Sequence, residues 1–310
     1  MTPSKPRVSP LLVLGLGVLG ISTGSIWVRL AQGQQVPSLV IAAWRLTLAS
    51  AVLWPWAWQR RRAELRGMER GDWGLVLLSG GMLALHFASW ITSLAYTSVA
   101  SSTVLVTTSP LWVGLAAPLL LGERLTRPLK SGMALAMVGS VLIGLADSVG
   151  WENGRLLFSL NQSATYANPL WGNALALLGA IAASFYLIIG RRLRQKLSLL
   201  SYTATVYGTA ALLLLLVVGL GPLSLFGYPP LAFFFLAMMA LFPQLLGHSS
   251  YNWALGYLSA AYVSIAVIAE PIGATILAFL LFGEQPGSLT LLGSGFILLG
   301  IVWSGRRESA

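Results

Sequence analysis

The sequence predicts an all-α integral membrane protein whose ten transmembrane helices form two inverted five-helix repeats. Three observations predict it: long apolar runs, basic clusters that fall on one side of the membrane, and an internal repeat with an offset of 161 residues. The chain is 56% hydrophobic and 9% charged, whereas a soluble protein carries about 25% charged residues. Its apolar runs, of about 18 residues or more, are each long enough to cross the hydrocarbon core as a helix.

The apolar runs divide into ten predicted spans, five on each side of a polar connection. We predict a first repeat at 1–147, an extracytoplasmic connecting loop at 148–168, and a second, inverted repeat at 169–310. The loop either caps the outer mouth or only bridges the halves. The spans, numbered 1 to 10, are predicted at 10–31, 37–59, 73–95, 99–121, 129–147, 169–190, 199–220, 230–254, 260–282 and 289–305.

The internal repeat superposes residues 94–144 on 255–305 without a gap. It matches backbone-specifying residues, namely Pro110 with Pro271, Gly122-Glu123 with Gly283-Glu284, Gly132 with Gly293, Gly139 with Gly300 and Gly144 with Gly305. Shared apolarity alone would not align prolines and glycines in this way. Because each half contains an odd number of spans, the halves lie inverted in the bilayer, an arrangement typical of secondary transporters.

The basic residues predict the orientation of the chain. All of the 19 Lys and Arg except Arg29, Arg45 and Arg155 fall in clusters that lie on one side if the N-terminus is inside. By the positive-inside rule, both termini are predicted to be cytoplasmic. The net charge of +10 therefore reflects membrane topology, and no nucleic acid is expected as a partner. The absence of cysteine excludes disulfides and thiolate metal sites.

Glu270 is the only carboxylate well inside a predicted span. Burying a charged side chain there costs a few kcal/mol, so a specific role for Glu270 is expected. It aligns with Ser109 in the first repeat, so the halves differ at this point. A carboxylate in one half only is what an asymmetric site would produce. We interpret Glu270 as the group that binds a substrate amine or a coupling proton; the alternative is a structural hydrogen bond between helices.

Arg45, in span 2, is the second charged residue deep in the membrane. An arginine does not lose its proton under ordinary conditions, so Arg45 is excluded as a proton carrier. Two roles remain open. Arg45 either holds a substrate carboxylate or pairs structurally with Glu270 or with helix-end carbonyls.

Polar and aromatic side chains share one face of each of two equivalent spans, spans 3 and 8. Their spacing predicts that both faces flank the same space, where rings, amides and imidazoles suit a small zwitterion or a flat organic molecule. A packed, hydrogen-bonded role is the alternative for each histidine. The predicted site residues are His86, Trp90 and Ser93 in span 3, Gln244, His248, Tyr251 and Asn252 in span 8, and, more weakly supported, Trp27 in span 1 and Tyr186 in span 6.

Prolines and glycines predict further backbone features. Pro110 and Pro271 each remove one helical hydrogen bond, so both are candidate cavity-facing hinges, with a rigid packing kink as the alternative. Gly122 and Gly283 suit helix C-termini. The glycines of spans 5 and 10 allow a close approach to a neighbouring helix, which predicts a structural stripe or a homodimer face.

The motifs around the prolines resemble the EamA family of the drug/metabolite transporter superfamily. They are Ser109-Pro110-Leu111-Trp112…Leu119-Leu120-Leu121-Gly122-Glu123 and Glu270-Pro271…Leu280-Leu281-Phe282-Gly283-Glu284. The resemblance covers nearly the whole chain except 148–168. It implies a basket-like bundle around a central cavity, with both termini cytoplasmic. Members of that family move amino acids and related metabolites, mostly outward.

Residues and resemblance together predict a secondary transporter that exports small metabolites, most readily amino acids or related amphipathic compounds, across a bacterial cytoplasmic membrane. The expected partners are a small-molecule substrate, the lipid bilayer and, if transport is coupled, protons. The chain contains no phosphate-binding loop, no metal-ligand spacing and no catalytic set, so no enzyme activity, metal or cofactor is expected. The alternatives are an exporter of drugs or nucleotide-type metabolites, a non-transporting scaffold, and an intramembrane lipid enzyme.

Overall fold

The apolar runs form helices, as they must where lipid offers the backbone no hydrogen-bond partner. The computed structural model describes residues 8–97, 99–123, 125–146, 149–152, 155–158, 168–282 and 288–305. The first half contains α1 (Pro10–Ser22), α2 (Gly24–Gly33), α3 (Ser38–Arg66), α4 (Arg70–Ser93), α5 (Val99–Val106), α6 (Ser109–Leu120) and α7 (Arg127–Ala146). Between the halves, strands β1 (Val149–Glu152) and β2 (Arg155–Phe158) pair antiparallel.

The second half begins with α8 (Pro169–Arg194) and α9 (Leu199–Leu220). It continues through α10 (Pro230–Met239), a π-helical segment (Ala240–His248), α11 (Ser249–Ala254), α12 (Ala260–Val267), α13 (Glu270–Phe282) and α14 (Ser288–Gly305). Within the described residues, seven helical segments are long and apolar enough to cross a membrane. These are Pro10–Gly33, Ser38–Arg66, Arg70–Ser93, Ser102–Leu120, Leu170–Arg194, Leu199–Leu220 and Pro230–Ala254, while Ala260–Ala274 and Leu291–Ser304 are shorter apolar helices. The total of ten spans stays a prediction.

Helix boundaries repeat at the offset found in the sequence. The starts of α5, α6 and α7 at residues 99, 109 and 127 correspond to the starts of α12, α13 and α14 at 260, 270 and 288. Each pair is separated by 161 positions. The two halves therefore share a local architecture over these helices, and their inverted orientation remains a prediction.

Four predicted spans depart locally from regular α-helix, and the sequence did not predict this for spans 1 and 8. Spans 4 and 9 break at residues 107–108 and 268–269, immediately before the helices that carry the buried Pro110 and Pro271. Span 1 breaks at Thr23, whose hydroxyl donates back to the carbonyl of Gly20 at 2.8 Å. Span 8 passes through the π-helical segment, which contains Pro243.

Glycines bring α7 and α14 into backbone contact. A Cβ added to Gly132 would lie 2.5 Å from the carbonyl oxygen of Gly300, and one added to Gly139 would collide with the carbonyl of Gly293. The glycine faces predicted to serve a homodimer are therefore occupied within one chain, because the two helices bury them against each other. A homodimer stays a prediction, and it would have to use other faces of these helices.

The motif Gly122-Glu123 ends α6 as its residue types predict. Gly122 has a φ of +68°, the left-handed conformation that suits the residue after a helix. Its counterpart, Gly283-Glu284, lies outside the described residues, as do both chain termini.

Candidate functional site: a polar cavity between the halves

A cavity lies where the broken helices of the two halves meet the first helices of the chain. Its volume is about 20 Å³, which is room for about one water molecule. Both halves contribute to its wall, and two of its residues carry opposite charges. The lining residues are Ile21, Arg45, His86, Trp90, Val106, Pro243, His248 and Glu270.

Arg45 lies on α3 and is almost completely buried, with 1% of its surface exposed. Its Nε donates to the side-chain oxygen of Gln244 at 2.7 Å, and its guanidinium carbon lies 4.0 Å from the ring centre of Phe87. Neither Nη nitrogen has a hydrogen-bond partner among the described residues. The guanidinium group is thus fixed along one edge and one face, and its Nη edge remains available.

Glu270 is the first residue of α13, directly after the break in span 9, and it is buried. Its backbone carbonyl accepts a hydrogen bond from the hydroxyl of Ser22 at 3.3 Å. Within the described part of the chain, its carboxylate accepts no hydrogen bond, so the group faces the cavity without a protein partner. This arrangement does not support the alternative of an interhelical hydrogen bond through the carboxylate.

Arg45 and Glu270 line the same cavity without touching each other. The ion pairs found among the described residues are Glu123 with Arg191 and Asp72 with Lys196. The direct ion pair that the sequence suggested between Arg45 and Glu270 is therefore not formed. The guanidinium group is held instead by a hydrogen bond to Gln244 and by the ring of Phe87.

Aromatic and imidazole rings form one wall of the cavity. The rings of His86 and Trp90 are parallel, with centroids 6.2 Å apart and an interplanar angle of 3°. His86 Nδ1 lies 2.9 Å from the carbonyl oxygen of Gly179, so this histidine combines a packed role with a place in the lining. The ring of His248 lies 6.2 Å from that of His86, and its Nδ1 is buried without a hydrogen-bond partner.

Six of the predicted site residues lie outside the lining of the cavity. Tyr186 donates to Asn252 at 2.6 Å, and Asn252 donates to Tyr207 at 2.9 Å. Tyr186 and Asn252 therefore belong to a buried hydrogen-bond network. Ser93 bonds to Ser102 across α4 and α5. The remaining three are Trp27, which packs on Phe234 and Phe235, Tyr251, which packs on α1 at Gly17, and Gln244, which holds Arg45.

Several residues of the site were missed in the sequence. Ile21, Val106 and Pro243 supply its apolar wall, and Phe87 supports the guanidinium. Pro243 could have been found, because a proline inside an apolar run is as informative there as at Pro110 and Pro271. The apolar wall gave no signal, because isoleucine and valine are ordinary residues in any membrane helix.

Both proline breaks adjoin the cavity. Val106, the last residue of α5, and Glu270, the first residue of α13, are lining residues on the two sides of corresponding breaks. Pro110 and Pro271 are buried in the first turns of the helices that follow. The breaks are therefore placed where a hinge could change the shape of the cavity, and the motion itself stays a prediction.

Glu123 connects the halves at the end of α6. Its carboxylate lies 3.2 Å from Arg191 Nε and accepts from the backbone N–H of Ala260, the first residue of α12, also at 3.2 Å. Arg191 additionally donates to the carbonyl of Leu255 at 2.7 Å. One acidic side chain of the first half thus joins two elements of the second, α8 and α12, on the side where the basic clusters lie.

Comparison with known proteins supports this architecture. The model of the EamA-like transporter family matches residues 9–145 and 170–306, one match for each half. A protein named as an uncharacterized transporter, from Archaeoglobus fulgidus, is 24% identical over 295 residues, which cover 94% of this chain and 95% of that protein. A probable terminal-alkyne amino-acid exporter from Streptantibioticus cattleyicolor is 26% identical over 275 residues, covering 85% of this chain and 82% of that protein.

A solved crystal structure of another protein shares the fold. It is 19% identical to this chain, with a TM-score of 0.72, and the superposition covers 96% of this chain and 97% of the other. At that level of identity the likeness concerns the fold alone.

Proposed function

The chain belongs to the EamA-like transporter family, and on that premise we propose that it exports small amphipathic metabolites, amino acids in particular, by alternating access. A transporter rather than an enzyme follows from the family and from the names of its relatives. The relatives likewise count against a scaffold or a lipid enzyme.

One observation carries the proposed substrate class: the cavity is bipolar. Arg45 presents an edge of unused donors, and Glu270 presents a carboxylate without a hydrogen-bond partner among the described residues. A zwitterion complements both, with its carboxylate at the arginine and its ammonium group at the glutamate. The relative from Streptantibioticus cattleyicolor, a probable terminal-alkyne amino-acid exporter, supports this substrate class.

The size of the cavity supports a mechanism that involves opening and closing. Ligand pockets usually measure about 300–1,000 Å³, and the cavity found here, at about 20 Å³, is far smaller. A metabolite would enter only if the surrounding helices separate. Rocking of two inverted halves about the breaks at Pro110 and Pro271 would open the cavity first to one side of the membrane and then to the other.

Glu270 is also the proposed link to energy. If it exchanges a proton in each cycle, the proton gradient drives export across the bacterial cytoplasmic membrane. If it only binds the substrate ammonium group, the protein is a facilitator driven by the gradient of the metabolite. The proposed orientation places both termini and the basic clusters in the cytoplasm, as the positive-inside rule predicts.

A second candidate substrate class is flat organic molecules, including drugs and nucleotide-type metabolites. The observation that favours it is the parallel pair of His86 and Trp90, since stacked rings of this kind also accept a flat ligand. An uncharged flat molecule would leave both Arg45 and Glu270 without a partner of opposite charge, so we rank this class below a zwitterion.

Counterflow in liposomes tests the proposal. Purified protein is reconstituted with unlabelled amino acids inside, and uptake of each labelled amino acid is measured with and without a pH gradient. We expect exchange that is faster than in protein-free liposomes. If the gradient accelerates uptake in wild type but not in Glu270→Gln, transport is proton-coupled. If the gradient changes uptake in neither protein, the result supports a facilitator. If no amino acid exchanges while flat aromatic compounds do, the second candidate replaces the first.

A further inference from the structure

Gln244 is placed in the site by an unusual piece of backbone. It lies in the nine-residue π-helical segment Ala240–His248, and such segments are rare and occur frequently at functional sites. The corresponding stretch of the first half, 161 positions earlier, lies within α4 and is regular α-helix. Pro243, which cannot donate a backbone hydrogen bond, accounts for a disturbance of the helix in the second half only.

The contact between Arg45 and Gln244 has no polar counterpart in the other half. At the same offset the matching residues are Val206 and Leu83, both fully buried and both apolar. The helices that carry them also pack closely, because a Cβ added to Gly80 on α4 would lie 3.0 Å from the carbonyl of Val206. Apolar residues therefore satisfy packing at the mirrored place, so packing alone does not require the polar pair.

Gln244 determines which edge of the arginine is used. Its side-chain oxygen accepts from Arg45 Nε at 2.7 Å, and Phe87 covers one face of the guanidinium group at 4.0 Å. The edge that remains consists of the two Nη nitrogens, and a fork of this kind matches the two oxygens of a carboxylate.

We propose that Gln244 is a positioning residue that makes Arg45 a carboxylate receptor, by holding Nε so that the Nη edge serves the transported molecule. The inference rests on the proposed function in one respect, since it names the group on the substrate that Arg45 recognises. It does not require the substrate to carry an amine.

Three related compounds separate the two ends of the site. Phenylalanine carries both charges, 3-phenylpropionate carries only the carboxylate, and phenethylamine carries only the ammonium group. We would measure their binding to the purified protein by the shift in melting temperature, together with the other standard amino acids and short-chain carboxylates. Wild type is expected to respond to carboxylate-bearing compounds more strongly than to their amine analogues.

Gln244→Glu tests the positioning role. A carboxylate at this position would pair with Arg45 and compete with the ligand. The affinity for carboxylate compounds, taken from the ligand concentration that produces the shift in melting temperature, should therefore fall about tenfold or more while the protein remains folded. Gln34→Glu, at the end of α2 and away from the cavity lining, is the matched control and should keep the wild-type preference. The double variant Arg45→Val with Gln244→Leu reproduces the apolar pair of the other half, so it should fold and lose the preference even if single variants fail to fold.

The outcomes are distinct. Loss of the carboxylate preference in Gln244→Glu and in the double variant supports the positioning role. Binding of 3-phenylpropionate but of no amino acid would refute the proposed substrate class and leave the role of Gln244 intact. The inference is overturned if the carboxylate preference persists in Gln244→Glu. It is also overturned if no carboxylate compound binds to the wild-type protein.

Discussion

At the scale of single residues, the site depends on a guanidinium group that is held on one side and open on the other. Arg45 uses Nε for Gln244 and one face for Phe87. Buried polar groups normally have hydrogen-bond partners. Because the described residues supply none to the Nη edge of Arg45 or to the carboxylate of Glu270, we propose that the substrate supplies them.

Replacing Arg45 by lysine tests this account while keeping the charge. A lysine cannot present a planar fork of donors, so a substrate carboxylate would lose its two-point contact. We expect the KM of counterflow to rise about tenfold for Arg45→Lys, with a smaller change in the maximal rate. Arg29→Lys is the control. Arg29 lies on α2 outside the cavity lining and donates to the carbonyl of Thr97, so this variant should leave KM unchanged. An unaltered KM in Arg45→Lys would show that the carboxylate binds elsewhere.

The sequence identified both charges of the site but not their surroundings. Arg45 and Glu270 could be predicted because a charge inside an apolar run is costly and therefore informative. The partner of Arg45 could not be predicted, because Gln244 is 199 positions away and reaches it from a π-helical turn. Tyr251 and Asn252 were placed by assuming an ordinary helix through span 8, and the π-helical segment makes that assumption wrong.

At the scale of helices, glycines and prolines have separate effects. The glycines of α7 and α14 make those helices a tightly packed pair, whereas the prolines interrupt the helices beside the cavity. The offset of 161 residues predicted both features, because backbone-specifying residues survive divergence that removes other identities. The breaks were predicted as kinks, and in the structure they are short turns with hydrogen bonds between residues three apart, such as that from the N–H of Ala269 to the carbonyl of Ala266.

Gly132→Leu should destabilise the pair formed by α7 and α14. A side chain there would collide with the backbone of Gly300, and overpacking of this kind costs about 1–3 kcal/mol. We expect the melting temperature in detergent to fall by several degrees. Gly295→Leu on α14, where an added Cβ meets nothing within 4 Å, is the control and should melt like wild type. Equal melting temperatures for both variants would contradict this packing.

Pro271→Ala tests whether the break in span 9 acts as a hinge. Alanine restores the missing backbone donor and favours a continuous helix across residues 268–269. We expect a folded protein with a maximal transport rate reduced about tenfold and a nearly unchanged affinity, because only the conformational step is affected. Pro55→Ala, in the exposed part of α3, is the control. A normal rate in Pro271→Ala would identify the break as a rigid kink.

At the scale of the whole molecule, the cavity lies between two halves that are also joined at one end. Glu123 bonds to Arg191 and to the first turn of α12, on the side predicted to face the cytoplasm. This connection is partly exposed and therefore worth no more than about 1 kcal/mol. We therefore predict that this contact restricts access at one end of the cavity without locking it.

Glu123→Gln should increase access to the cavity from the cytoplasmic side. The chain has no cysteine, so Val106→Cys introduces a single thiol into the cavity lining. Loss of the ion pair is expected to speed labelling of that thiol by a membrane-impermeant maleimide roughly two- to fivefold in inside-out vesicles. Asp72→Asn, which removes the ion pair between Asp72 and Lys196, is the comparison variant. Equal labelling rates in Glu123→Gln and in the parent would show that the contact does not restrict entry.

The measurement that most directly tests the central claim is labelling of Val106→Cys from each side of the membrane. If one cavity opens alternately to both sides, the impermeant reagent reacts in inside-out and in right-side-out vesicles, and a transported amino acid protects the thiol in both. Leu119→Cys, on an exposed position of α6, should show no protection. Reaction from only one side, or protection by no amino acid while transport continues, would contradict a central cavity as the transport pathway.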